Sequence, residues 1–223
     1  MPSLTRLEQE IRKKTSKWGA DLIGFAPTER FSKFSLKNQP QIALEEAKTV
    51  IVIGIHMVDP ILDLWLHADE WKQQGKPSRA FEDEILRGVA YRLVLYLERA
   101  GYRSEVLPYE PSLYLKEAGY YAGLGVFGKN NLLINPIYGP NIRLRALTTV
   151  ASLTPSPLIN KDYCGSCNHC IKACPPNALE GGYNKERCLS YATNQVEFLS
   201  SKAVLWCVKC ITSCPYTKKA NND

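Results

Sequence analysis

The chain has 223 residues, 45% hydrophobic and 22% charged, enough for one sizeable core plus a small satellite module. Its formal net charge of +6 reads as a solvated surface with no nucleic-acid-binding stripe, so nucleic acid is an unlikely partner on this count. No apolar stretch approaches the ~20 residues of a membrane helix, and MPSLTRLEQEIRKKTSKWG has no export signal, so no membrane association and a cytoplasmic location are expected.

A first helix is predicted from Thr5 to Trp18, with Leu4, Leu7, Ile11 and Trp18 on its apolar side and Gly19 as its stop. Asp21–Ala26 reads as a short strand closed by Pro27. The β-branched run Thr49–His56, TVIVIGIH, reads as a buried central strand. Phe81, Ile85, Val89, Leu93 and Leu97 recur at helical spacing and predict a long helix over Ala80–Ala100, ended by Gly101. A strand is expected over Tyr102–Leu107, and a helix capped by Ser112 and running to Tyr121. Gly123, Gly125 and Gly128 punctuate a loop, followed by strands at Leu132–Ile134 and Arg143–Leu153. Alternating helices and strands suggest an α+β layer over residues 1–157. The stretch TPSPLI, Thr154–Ile159, marks the passage to a second module, residues 158–223.

All eight cysteines lie in that module, which argues for metal rather than disulfides in a reducing compartment. Cys164, Cys167, Cys170 and Cys174–Pro175 follow C-x2-C-x2-C-x3-C-P, the bacterial ferredoxin pattern, in which the fourth cysteine serves the neighbouring cluster. Cys207, Cys210 and Cys214–Pro215 repeat the tail of the pattern, and Cys188 supplies the displaced ligand. Two [4Fe–4S] clusters are therefore expected. One would sit on Cys164, Cys167, Cys170 and Cys214, the other on Cys174, Cys188, Cys207 and Cys210. Zinc or disulfides are the competing readings; neither explains the third cysteine at x2 or the proline after the fourth in both halves. His169, inside the first motif, reads as a surface residue or one packed beside the ligands rather than as a ligand, since four cysteines already satisfy each cluster.

The segment Ala122–Gly139, AGLGVFGKNNLLINPIYG, is the most distinctive part of the larger region. Its glycines allow close backbone approach to a bulky ligand, and Lys129 and Asn130 can reach anionic groups. As a dinucleotide fingerprint it is weak, because a helix and not a strand precedes it.

These residues, followed by the cysteine run, RCLSY and C-x2-C-x3-CP, together with WGADLIGFAP and AKTVIVIGI upstream, resemble the epoxyqueuosine reductase family in one continuous order. The resemblance implies a nitroreductase-like α/β core binding a corrinoid, followed by a two-cluster ferredoxin-like module. Corrinoid reductive dehalogenases share this architecture, in which a cluster passes electrons to the cobalt. Gly123, Gly125, Gly128, Lys129, Asn130 and Asn131 would then lie against cobalamin, with His56, at the end of the central strand, facing cofactor or substrate. His56 reads first as a satisfied structural histidine, and Trp65, Trp71, Tyr114, Tyr120 and Tyr121 first as ordinary packing, with macrocycle lining as the other reading.

Two departures from the family pattern shape the expected function. The chain stops at Asp223, short of the family's helical repeats, so the expected reductase does not act on tRNA. Where the family places an acidic proton donor, this chain has Tyr109 beside Glu110, in LPYEPSLY; Tyr109 either donates a proton or packs. The expectation is an iron–sulfur oxidoreductase that takes electrons from a low-potential donor, a ferredoxin or flavodoxin, and reduces a small molecule through cobalamin. The alternatives are an electron-transfer protein that reactivates a separate corrinoid protein, and a flavin-binding reductase.

Overall fold

The structure, a computed structural model, describes residues 3–57, 65–66, 79–108, 113–198 and 204–220. The fold is mixed α/β and divides into two compact units. The first comprises residues 1–55, 85–125 and 143–160, the second residues 56–84, 126–142 and 161–223.

The first unit is built on a four-stranded sheet in the order β1-β2-β8-β5: β1 Leu22–Pro27, β2 Thr49–His56, β5 Ser104–Val106 and β8 Ile142–Thr149. β1 pairs antiparallel with β2, Gly24 opposite Val52, and β5 antiparallel with β8, Glu105 opposite Thr148. Val50, Ile51, Val52 and Ile53 are all fully buried, as a β-branched run without polar alternation requires.

Two helices cover the core. α1, Leu4–Lys17, places Leu7, Ile11 and Thr15 inward at i, i+4, i+8, and the Thr15 hydroxyl donates to Ile11 O at 2.8 Å. Leu4, expected on the apolar side, is largely exposed; it begins the helix, where no turn precedes it to lean on. Gly19, at φ +102°, supplies the left-handed stop. α2, Phe81–Arg99, buries Leu86, Val89, Ala90, Leu93 and Leu97. Each such leucine contributes about 1.5–3 kcal/mol by leaving water.

The helix expected from Ser112 is α3, Leu115–Tyr121, whose N-cap position is held by Tyr114 without a side-chain cap; Ser112 lies outside the described residues. Its end packs on β1 so closely that a Cβ at Gly24 would stand 2.0 Å from Ala122 O. Ser156 runs along the same strand, its N–H donating to Phe25 O at 2.9 Å and its Oγ accepting from Phe25 N–H at 3.0 Å.

The second unit has little extended sheet. It contains the strand pairs β3 Trp65–Leu66 with β4 Arg79–Ala80, β6 Val126–Phe127 with β7 Leu133–Ile134, and β9 Glu197–Phe198 with β10 Val204–Leu205. Its helices are short: α4 His169–Lys172, α5 Lys185–Asn194, α6 Lys209–Thr212 and α7 Pro215–Ala220. Among the described residues, no helix is long and apolar enough to cross a membrane.

Candidate metal centre

The first cysteine run is held open from its start by Asp162. Its Oδ1 accepts the N–H groups of Cys164 at 2.8 Å and Gly165 at 3.1 Å. Those two bonds, with a smaller contribution from the Lys129 charge, hold its carboxyl below the usual carboxylate range. Gly165 turns at φ +44°, and Cys167 N–H closes back on Cys164 O at 2.7 Å, so the run curls before α4 begins.

The curl brings Cys164, Cys167 and Cys170 together with Cys214, from the far end of the chain, around one cavity of about 240 Å³; Lys129, Asn130 and Ile134 complete part of its wall. Burial pushes the Cys170 thiol up, and the neighbouring Cys164, Cys214 and Cys167 add to it. Cys214 is also raised by burial, partly offset by the backbone N–H groups of Tyr216 and Thr217 that approach its sulfur.

Cys210 lies near cysteines of both motifs. Burial pushes its thiol up to about 12, followed by the influence of Cys207, Cys188, Cys170 and Cys174. Ala178 N–H donates to Cys174 Sγ at 3.3 Å. Tyr183, which no sequence motif singled out, hydrogen-bonds Cys188 and stands near Cys210 and Cys174. Burial first, then those sulfurs, push its hydroxyl up to about 12. Only the approach of a C-terminal cysteine to a residue outside the C-x-x-C runs could have revealed it, and sequence spacing does not record that. Among the described residues no three His, Cys, Asp or Glu side chains converge tightly enough to hold a single ion. His169 is exposed at the start of α4.

The glycine-rich segment turns out to be a hairpin feature. Gly128–Asn131 forms the tip between β6 and β7, with Asn131 N–H donating to Gly128 O at 2.9 Å and Asn131 itself at φ +57°. Lys129 and Asn130 reach the cysteine loops: Lys129 N–H points at Cys164 Sγ at 3.4 Å, its ammonium donates to Gly165 O, Cys167 O and Asn168 Oδ1, and Asn130 Nδ2 donates to Cys210 O at 3.4 Å. The tightness of the glycines is spent on protein atoms. A Cβ at Gly123 would meet Pro157 O at 2.3 Å, and one at Gly128 would meet Ile134 Cγ1 at 2.8 Å. Gly125 belongs with Gly123 to the first unit, Gly128 to Asn131 to the second.

His56 stacks on Tyr138, ring centroids 4.6 Å apart and planes 17° off parallel. Tyr121 meets Phe31 edge-on at 5.2 Å, Tyr114 meets Phe34 at 5.5 Å, and Tyr120 lies tilted against Tyr121, so these aromatics pack with one another. Tyr109, Glu110, Trp71 and the side chain of Trp65 lie outside the described residues.

No protein-family model matches the chain. A full-length comparison decides its kinship: the chain is 30% identical to an epoxyqueuosine reductase of Lactococcus garvieae over 253 aligned positions, covering 97% of this chain and 71% of that protein. The chain belongs to the epoxyqueuosine reductase family. It spans from 28% to 71% of the length of the curated relatives it matches. An epoxyqueuosine reductase solved with an epoxyqueuosine-modified tRNA stem loop shares the fold at TM-score 0.73 and 22% identity, over 97% of this chain and 66% of that one. A reductive dehalogenase, whose structure suggests a mechanism for B12-dependent dehalogenation, shares it at TM-score 0.67 and 19% identity, over 93% of this chain and 31% of that one.

Membership of the epoxyqueuosine reductase family corrects two expectations. Nucleic acid was set aside as a partner, and tRNA as a substrate, because no basic stripe is visible and the chain stops at Asp223. Family relatives are named for epoxyqueuosine, and one is solved on a tRNA stem loop. The error has a physical source: an RNA-facing surface collects cations from separate segments, which a linear search for basic runs does not see.

Proposed function

We propose that this chain is a reductase of epoxyqueuosine in tRNA that receives electrons through two [4Fe–4S] clusters. The observation that carries the iron–sulfur reading is the gathering of Cys164, Cys167, Cys170 and Cys214 around a cavity of about 240 Å³, with Cys207, Cys188 and Cys174 near enough to Cys210 to act on its thiol. The donor chemistry fits cubanes. Four thiolates must reach four corners of a cluster, wider apart than the ligands of one tetrahedral ion with metal–sulfur bonds of about 2.3 Å. N–H groups aimed at Cys164, Cys174 and Cys214 suit anionic sulfur. The proposed ligand sets are Cys164, Cys167, Cys170 and Cys214, and Cys174, Cys188, Cys207 and Cys210, in a ferredoxin-like module at residues 158–223.

A corrinoid is proposed from kinship and would, when bound, deliver reducing equivalents to the epoxide. Of the residues expected against it, Gly123 and Gly128 are crowded by Pro157 and Ile134 and Lys129 and Asn130 are engaged with the cysteine loops, so Gly125, Asn131 and His56 are the ones proposed for it. Reduction of an epoxide takes two electrons and two protons for each oxygen released as water, so a proton donor is needed as well as a relay. Tyr109, with Glu110 beside it, is proposed for that role, since a tyrosine with an ordinary pKa near ~10 is still protonated at neutral pH.

The test is anaerobic reconstitution with iron and sulfide, followed by incubation with a reduced low-potential donor, cobalamin and a stem loop bearing epoxyqueuosine. Loss of one oxygen from the nucleoside, read by mass spectrometry, is the expected result. A colourless protein carrying two zinc ions would remove the relay. Tyr109→Phe is expected to slow turnover by about 10²–10⁴-fold while iron content stays unchanged; an unaltered rate removes Tyr109 from the mechanism.

A further inference from the structure

Lys129 is exposed, yet it makes more contacts than a free surface lysine. Its ammonium carries three protons, and each has a partner on the first cysteine loop: Gly165 O at 2.8 Å, Cys167 O at 3.0 Å and Asn168 Oδ1 at 3.0 Å. Its own backbone N–H points at Cys164 Sγ at 3.4 Å. The hairpin tip thus delivers a fixed positive charge and a sulfur-directed donor to the same four-residue curl. The next residue, Asn130, is 5% exposed and donates to Cys210 O on the second motif, so the tip is anchored and the lysine cannot swing away as a unit.

A cluster becomes one unit more negative on reduction, and potentials rise with nearby positive charge and with hydrogen bonds to sulfur. The Lys129 charge also acts on the Asp162 carboxylate, two residues before Cys164. The second set has a different surrounding, with Ala178 N–H at Cys174 and the neutral hydroxyl of Tyr183 at Cys188.

We propose that Lys129 is a potential-setting residue for the cluster on Cys164, Cys167, Cys170 and Cys214, holding that cluster's potential above the value its sulfur ligands alone would give. The proposal rests on the iron–sulfur reading above. It makes the two clusters inequivalent by construction, with the cationic brace on one and a neutral phenol at the other.

The experiment is a redox titration of the reconstituted full chain, followed by electron paramagnetic resonance, for the wild type, Lys129→Met and Lys129→Arg. Lys129→Met is expected to move one of the two midpoints to a more negative potential and leave the other in place. Lys129→Arg, which keeps the charge, is expected to restore it. A wild type without iron and sulfide sinks the cluster reading itself. A loaded wild type whose midpoints are both unchanged in Lys129→Met overturns this inference alone. So does a shift of equal size in Lys129→Arg, which would mean that shape and not charge is felt. If Lys129→Met loads only half the iron, recovery of that half in Lys129→Arg supports the proposal and its failure overturns it.

Discussion

At the scale of single residues, the site is a matter of who solvates sulfur. Tyr183 hydrogen-bonds Cys188 and keeps its own proton, its pKa pushed up to about 12. Replacing it with phenylalanine removes a donor without changing charge. Tyr183→Phe should therefore lower the potential of the second cluster only, by less than a charge change produces, and a redox titration in which the first cluster moves instead would contradict the assignment. The buried thiols make a further prediction. Cys210 must lose its proton to bind iron, and burial holds that proton up to about 12. Because the free thiol is protonated throughout the neutral range, binding releases a proton, and higher pH favours loading. Apparent iron affinity should rise by up to about tenfold per pH unit for each proton released between pH 7 and 9, measured by chelator competition. A flat profile would mean that the thiols are already ionised.

At the scale of elements, the decisive contacts are backbone against backbone. Gly24 in β1 lies under the end of α3, and a Cβ there would fall 2.0 Å from Ala122 O, an atom that cannot rotate away. Gly24→Ala should force the strand and helix apart and cost about 1–3 kcal/mol or more, read as a lowered urea midpoint. A change within error would show that the two elements adjust freely. These elements were also the ones most legible beforehand. Four consecutive β-branched apolar residues, Val50, Ile51, Val52 and Ile53, leave β2 one reading, and the glycines at 19 and 101 mark helix ends through their positive φ. The partners of the Gly123–Asn131 segment were not legible. Its glycines signal crowding, but whether the crowding atom belongs to a ligand or to Pro157 and Ile134 depends on residues distant in the chain. Strands β6, β9 and β10 escaped for a similar reason, since two residues carry no periodicity, whereas β7 falls within the strand expected at Leu132–Ile134.

At the scale of the whole molecule, the two compact units differ in what holds them. The first buries Phe25, Phe31, Leu86, Leu93 and Leu147 among many others. In the second, the larger apolar side chains buried among the described residues are few: Met57, Leu133, Ile134, Leu179 and Val208. Cluster ligation is expected to supply much of the second unit's stability, since binding that occurs only in the folded state adds to folding free energy. Iron removal by a chelator should split thermal unfolding into an early and a late transition, and reloading should raise the early one. A single transition unmoved by iron would show that the second unit stands by its packing. The cysteine spacing pointed to a metal centre while leaving the flanking donors dark, because Lys129, Ala178 and Tyr183 approach sulfur through turns that no spacing rule encodes.

The wall of the first cavity takes three thiols from residues 164, 167 and 170 and its fourth from residue 214. The fourth thiol is added to the growing chain 44 residues after the third. Under the proposed reading, a cluster there cannot be completed until the segment carrying residue 214 has folded back onto the first loop, and three thiols wait for the fourth.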